Sequence, residues 1–375
     1  MKKTAIILGD SFPNTLGLLR SLGQANIPLF LILVADDDWS RVLKCKYINK
    51  DNHIKISDVE ESLSVLKKLS MEDIEGSIFC TNDRAAEFID SHEEELSALF
   101  RTPLRGKHIG KYFNKAEQCE LAGECGLDVP KSIVYKRSMD INSLSLKYPL
   151  LTKPLVSTGG QKEDIHICLS KNDLIGSLQE KSSCEEFIIQ EYIDKEFELD
   201  CLGVRSEKGV IWGGAVRKIR HWPPNTGAGS YAKIYDMEEY GVKTKEVESF
   251  LAKVGYYGLF SVEFIHKDGK NYFMEVNFRN DGLGYVATVA GLNLPAHYMY
   301  PENPIYIKSF HPIYMMNTSS EKRYIKKGML SFFTWLKDYW GTECFIDYDK
   351  HDLSPLIWQY IDKVSRLKNK IKSKF

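Results

Sequence analysis

Phe260-Ser261-Val262-Glu263-Phe264, then Lys267-Asp268-Gly269-Lys270, then Phe273-Met274-Glu275-Val276-Asn277-Phe278-Arg279: this stretch reads as two strands joined by a turn. Side chains alternate in both arms, the period of a strand with two different faces. Glu275 and Asn277 are two apart and share a face. Glu263 joins them from the paired arm under a parity condition. Opposed residues point the same way, so Glu263 meets Glu275 only if the loop has an odd residue count or the ladder carries a bulge. An odd three-residue loop around Asp268-Gly269 would satisfy it. Two carboxylates and an amide oxygen on one sheet face make a hard-oxygen site, the type Mg²⁺ takes when phosphates and waters complete its octahedron. A solvated sheet face explains any one of these residues alone; the joint pattern, with Arg279 at its far end, favours a site.

Outward from this hairpin the chain divides. In the first hundred residues short apolar strands (Thr4–Leu8, Pro28–Val34, Ser77–Cys80) alternate with helical segments (Asn14–Gln24, Asp58–Leu69, Asp83–Leu99). That alternation predicts a parallel sheet with crossovers. The loop Gly9-Asp10-Ser11-Phe12-Pro13-Asn14 is not G-x-G-x-x-G, so a dinucleotide site is not indicated, although a helix N-terminus there can still take an anion. Past residue 105 the pattern becomes α+β. A helix over Asn114–Cys125 has Asn114 as N-cap and Gly126 at its stop. Strands follow at Pro149–Lys153, Ile165–Leu169, Phe187–Gln190, Phe197–Val204 and Val210–Ile219, with helices at Lys171–Leu178 and Thr244–Val254.

Composition narrows the class. The 375 residues are 43% hydrophobic and 27% charged, with net charge −1, so any phosphate must be held by local basic groups and nothing points to nucleic acid. The apolar run after Lys2-Lys3 stops at Gly9-Asp10, too short for a signal peptide, and no run approaches a spanning helix. A cytoplasmic protein is expected. None of the eight cysteines forms a C-x₂-C pair, so they read as reduced core residues rather than zinc ligands.

The run Glu275-Val276-Asn277-Phe278-Arg279 resembles the E-x-N-x-R signature of the ATP-grasp superfamily. That resemblance implies that Glu263, Glu275 and Asn277 hold two Mg²⁺ ions (Mn²⁺ being an alternative) against the phosphates of ATP, and that Arg279 faces the substrate or its phosphorylated intermediate. The remaining motifs are similar in order. Lys115, ahead of Gly126-Leu127-Asp128-Val129-Pro130, matches the first phosphate-binding lysine. Lys153, closing Tyr148-Pro149-Leu150-Leu151-Thr152-Lys153-Pro154, matches the second. Ser157-Thr158-Gly159-Gly160 matches the loop that covers the phosphates. Ile189-Gln190-Glu191-Tyr192-Ile193 is similar to the strand that reads adenine, and Glu196, before Phe197, matches the ribose-binding carboxylate. In the basic cluster Arg217-Lys218-Ile219-Arg220-His221, Arg217 or Lys218 is a candidate for the γ-phosphate and Arg220 or His221 for a substrate carboxylate; an edge strand guarded by charges is the plainer alternative.

The implied architecture is an ATP-grasp fold, α/β and α+β, with a Rossmann-like pre-ATP-grasp domain over 1–105. A small lid portion covers 106–190, a metal-bearing core 191–305, and a helical basic extension 306–375. The implied reaction is ATP-dependent activation of a carboxylate as an acyl phosphate and its transfer to an amine, both small molecules. The alternatives are a carboxylase-type ATP-grasp enzyme and a non-catalytic ATP-binding protein. The extension ends in Trp358, Ile361, Val364, Leu367 and Ile371 at near-helical spacing, with six basic residues and no acid after Asp362. This is the pattern of a basic amphipathic helix. Peripheral membrane contact through 356–375, linked to surface-polysaccharide or cell-envelope assembly, is therefore an expectation beside the plainer one of a helix packed on its own protein. A homodimer is a further expectation.

Overall fold

The computed structural model describes residues 1–11, 13–35, 41–154, 166–180, 186–224 and 227–372. The N-terminal unit runs β1 (Lys2–Gly9), α1 (Pro13–Gln24), β2 (Leu29–Val34), β3 (His53–Ile56), α2 (Ser62–Leu69), β4 (Ile74–Cys80), α3 (Asp83–Ser91) and α4 (Glu93–Ser97). Its four strands are parallel in the order β3-β2-β1-β4. The order reverses between β1 and β4, and the carboxyl ends of such neighbouring strands open a crevice for ligands. β1 is buried on both faces and reads as a continuous apolar run for that reason. The single helix expected over Asp83–Leu99 breaks at His92 into α3 and α4.

The second unit comprises α5 (Lys115–Glu124), β5 (Ser132–Lys136), β6 (Leu150–Pro154), β7 (His166–Cys168), α6 (Lys171–Glu180) and β8 (Glu186–Glu191), its antiparallel sheet ordered β5-β8-β6-β7. Asn114 caps α5 by accepting from the N–H groups of Ala116 and Glu117. Gly126 has φ 89°, the left-handed conformation expected at a helix stop.

The rest is organised on one seven-stranded sheet. It adds β9 (Phe197–Ser206), β10 (Gly209–Trp222), β11 (Ala228–Tyr235), α7 (Thr244–Val254), β12 (Gly258–Lys267) and β13 (Lys270–Asn277). Then come α8 (Gly284–Val289), α9 (Leu294–Met299), β14 (Tyr314–Met316), α10 (Thr318–Lys326), α11 (Phe332–Trp340), β15 (Thr342–Phe345) and α12 (Ser354–Lys372). The order is β13-β12-β9-β10-β11-β14-β15. The extension is thus not purely helical: β14 and β15 lengthen the central sheet.

Two large cores tie the units together. One packs Ala5, Ile7, Leu19 and Leu22 of the N-terminal unit with Tyr298, Met315 and Cys344. Burying each leucine contributes roughly 1.5–3 kcal/mol. Between α1 and the extension lies an ion pair with no exposed surface: Arg20 Nε is 3.1 Å from Asp352 Oδ2. None of the seven described cysteines forms a disulfide, and six are buried, as expected of core thiols; Cys184 lies outside the described residues.

Candidate active site

The hairpin meets the parity condition by a bulge. Lys267 pairs with Lys270 across a two-residue turn, with Asp268 at φ 48° and Gly269 at φ 72°, the left-handed pair that an Asp-Gly hairpin turn uses. An even turn alone would set Glu263 against Met274. The register slips by one between Glu263 and Phe264, so Glu263 pairs with Glu275 and Ser261 with Asn277. The expected three-residue loop is therefore replaced by an extra residue in β13.

Neighbouring strands complete the polar face. Glu263 pairs with Asp200 of β9, and Lys218 of β10 pairs with Glu198. Lys218 Nζ lies 2.8 Å from Asp200 Oδ1, 3.3 Å from Glu198 Oε2 and 3.5 Å from Glu263 Oε2. The 2.8 Å approach is an ion-pair contact without hydrogen-bond alignment. Burial by itself would strip the Lys218 proton, but Asp200, Glu263 and Glu198 outweigh it and raise the pKa well above the usual lysine value. Burial, reinforced by Glu263 and Asp281, pushes Asp200 well up despite Lys218. Glu198 goes the other way. Its burial is overcome by the His221 hydrogen bond (Nε2–Oε2 3.2 Å) and by Lys218 and Lys195, which hold it well below the usual carboxylate range.

Lys115 begins α5 and reaches the same face. Its Nζ is 2.6 Å from Glu275 Oε2, and this pairing keeps it charged against its burial. α5 is held on edge strand β13 by Gln118, which accepts from Val276 N–H at 2.6 Å and donates to its carbonyl at 3.1 Å. Gln118 thus takes the place of a neighbouring strand. Asn277 Nδ2 donates to Ser261 Oγ (3.2 Å) and Glu263 Oε1 (3.3 Å). Arg279 Nη2 donates to Asn277 Oδ1 at 2.9 Å, while its Nε is 2.6 Å from Asp83 Oδ1 of α3. Arg279 therefore spans from the signature strand to the N-terminal unit.

Other expected residues lie apart from this cluster. Arg217 sits on the opposite face of β10, its guanidinium 4.3 Å over the Phe197 ring. Glu196 is bound to the hairpin turn, accepting from Asp268 N–H at 3.1 Å, five residues or roughly 16 Å of strand from Glu263. Arg220 is engaged by Glu321 and Asp338 of the extension at 2.7 and 2.8 Å. Gln190 is buried in β8; Glu191 N–H donates to Lys131 O and Tyr192 N–H to Pro149 O, with Ile193 next in the hinge. The backbone of Lys153 pairs with Ile188. The Lys153 side chain and Ser157, Thr158, Gly159 and Gly160 lie outside the described residues.

The structure also brings in residues that the sequence reading did not select. Glu198, Asp200, Ser261 and Asp281 belong to the cluster, with Ser261 Oγ donating to Asp281 Oδ2 at 3.0 Å. The period-2 spacing of Glu198 and Asp200 in β9 was the available signal. From the N-terminal unit, the start of α1 packs on the segment after Arg279: Asn280 Nδ2 donates to Asn14 O at 3.0 Å. Gly9 is required there, since a Cβ would stand 2.4 Å from Thr81 Oγ1 and 2.5 Å from Thr15 Oγ1.

Among the described residues no three His, Cys, Asp or Glu side chains converge as a ready metal cage. Glu263, Glu275 and the Asn277 amide supply part of an oxygen shell and face the cations Lys115 and Lys218. This donor set suits a divalent ion whose shell is finished by phosphate oxygens.

No protein-family profile matches the chain. The chain is 25% identical over 348 residues to D-aspartate ligase of Enterococcus faecium (strain Aus0004), covering 85% of this chain and 80% of that protein. The L-amino acid ligase of Bacillus licheniformis superposes with TM-score 0.60 at 16% identity, over 84% of this chain and 79% of that one. The biotin carboxylase domain of Hydrogenobacter thermophilus 2-oxoglutarate carboxylase, solved with MgADP, ADP and bicarbonate, gives TM-score 0.62 at 15% identity, over 84% and 73%. No helix among the described residues is long and apolar enough to cross a membrane. Relatives and solved structures agree with the signature: the chain has the ATP-grasp fold and is similar in sequence to carboxylate–amine ligases of that superfamily.

Proposed function

We propose that this chain uses MgATP to phosphorylate a small-molecule carboxylate and then joins the acyl group to an amine. The observation that carries this reading is the meeting of Lys115, Glu263, Glu275, Asn277 and Arg279 on one sheet face, with Glu263, Asn277 and Arg279 linked at 2.9–3.3 Å and Lys115 paired to Glu275 at 2.6 Å. In the first step a carboxylate oxygen forms a bond to the γ-phosphorus and the bond to the β-phosphate oxygen breaks, releasing ADP. In the second the amine nitrogen bonds to the acyl carbon, phosphate leaves, and the amine gives up a proton. Such transfer depends on positioning and charge neutralisation.

Lys115 and Lys153 hold phosphate oxygens, the 190–193 hinge takes adenine, Glu196 the ribose, and Ser157–Gly160 closes over the phosphates. Two Mg²⁺ ions, or Mn²⁺ in their place, would be held by Glu263, Glu275 and Asn277 and would withdraw charge from the phosphates. Arg279 stabilises the oxyanion. Lys218 is the shared counter-charge of Glu198, Asp200 and Glu263 and aims Glu263; Arg217, on the far face, supports β10 through Phe197. We place the protein in the cytoplasm, with a homodimer and a peripheral membrane contact as further parts of this reading. The latter is supported by Ile357, Tyr360, Ile361 and Val364 of α12, which form an exposed apolar stripe ahead of the basic tail.

The test is ADP release from MgATP against crossed panels of carboxylates and amines, with Glu275→Gln beside the wild type. Release that needs one carboxylate and one amine together, and is lost in the variant, supports a ligase. Release with bicarbonate as the carboxylate supports the carboxylase-type alternative. Tight ATP binding without release under any pair would leave the non-catalytic protein.

A further inference from the structure

A cavity of about 160 Å³ lies away from the carboxylate cluster, between the N-terminal unit and the extension. Its polar lining is Ser11, Arg41, Asn317, Ser319, Ser320 and Arg323. The volume suits one small polar group, since whole drug-sized ligands occupy pockets of roughly 300–1,000 Å³.

The chemistry of the lining is cationic. Asp347 also borders the cavity, but its carboxylate is used up at the start of α10. Oδ1 accepts from Thr318 N–H at 3.0 Å, and Oδ2 accepts from Thr318 Oγ1, Ser319 N–H and Ser319 Oγ at 2.7–2.9 Å. Arg41 donates to the neutral Gln359 Oε1 at 3.1 Å, and Arg323 stacks at 5.9 Å over Trp222. Among the described residues neither guanidinium has a carboxylate within ion-pair distance. Asp36, Asp37 and Asp38, ahead of Arg41 in sequence, lie outside them. Ser11 Oγ is buried at the cavity without a hydrogen-bond partner, and a buried hydroxyl left so is unfavourable until something fills it.

The cavity is joined to the reaction centre by the short stretch of chain that leads into α1. Ser11 lies in the β1–α1 loop and Asn14 in the first turn of α1, three residues on, and Asn14 O accepts from Asn280, the residue after Arg279. We propose that this cavity is a substrate subsite formed jointly by the β1–α1 loop and the extension, and that it binds an anionic group, carboxylate or phosphate, carried by the amine substrate. Arg41 and Arg323 supply the charge and Ser11 a hydroxyl donor. Calling the ligand a substrate rests on the ligase reading; the binding itself does not.

The experiment is calorimetry on the full chain saturated with MgADP, which fills the nucleotide site. The ligands are β-alanine beside β-alaninamide, and O-phosphoethanolamine beside ethanolamine. Wild type, Arg41→Gln and Arg323→Gln are compared, with melting temperatures to show that each variant folds. The expected result is a preference of about tenfold or more for the anionic member of at least one pair, falling to within about threefold in both variants. The pair that shows it identifies carboxylate or phosphate as the group held. Equal affinity within both pairs, absence of binding, or a preference that survives both substitutions would overturn the subsite. If the ligase reading fails, ADP release is absent while this preference stands; if only the subsite fails, release proceeds without it.

Discussion

Lys115 Nζ stands 2.6 Å from Glu275 Oε2, so the carboxylate proposed to hold a metal ion is in contact with an ammonium. Phosphate oxygens of ATP would draw Lys115 away and free the carboxylate. Glu275→Gln should therefore lower kcat on the order of 10²-fold with the fold intact, while Lys115→Met should act mainly on the KM for ATP. Steady-state kinetics with circular dichroism check both. A full-rate Glu275→Gln enzyme would end the metal assignment.

Lys218 is the shared counter-charge of Glu198, Asp200 and Glu263. Lys218→Met should cost about 3–5 kcal/mol, because it leaves buried carboxylates without a partner. Asp200 can escape by taking a proton, having been pushed up by burial and by Glu263 and Asp281. A carboxyl with a raised folded pKa binds more protons folded than unfolded, so the variant should lose stability as pH rises above about 4. Adding Asp200→Asn should recover at least half of the loss. Urea midpoints between pH 5 and 8 read both effects.

Glu198 carries the opposite sign. It is held well below the usual range by His221, Lys218 and Lys195 in spite of burial. The unfolded chain then binds the extra proton, so the stabilisation is complete above about pH 4.3 and is lost as pH falls toward the folded value. Wild type should be more stable than Glu198→Gln at pH 7, and the gap should narrow from about pH 4 downward. A gap unchanged at pH 3 would show that the charge of Glu198 is not its source.

Much of this site was legible in one chain's sequence because alternation and capping are local. β12, β13, the Asn114 cap and the shared face of Glu275 and Asn277 follow from period and residue chemistry. Parity admits an odd turn or a bulge and the sequence does not choose between them; the structure takes the bulge. β11 is missing from the expected strands because Pro223, Pro224 and two glycines precede or open it, yet β10 and β14 pair it on both sides. Glu198 and Asp200 were passed over as an apolar strand's incidental charges; their role needs Lys218, which is local neither in sequence nor in pattern. Arg220 was legible as basic but not as taken, since Glu321 and Asp338 come from the extension.

Arg20 and Asp352 form a pair with no solvent contact, and Asp352 Oδ1 also accepts from Lys46 N–H at 2.9 Å. Asp352→Asn should destabilise the chain by about 3–5 kcal/mol, since Arg20 keeps its charge in a dry site. Equilibrium urea unfolding measures the loss. A cost below about 1 kcal/mol would mean that water reaches the guanidinium.

That same pair reverses the order in which the molecule is made and finished. Arg20 precedes Asp352 by 332 residues, so during translation the first helix is complete long before its carboxylate exists. The N-terminal sheet can assemble early, but with a guanidinium that has nowhere dry to go. We predict that ribosome-bound chains halted before residue 352 leave α1 open to protease, and that protection arrives only after that residue has emerged. The part synthesised first would then be the part that matures last.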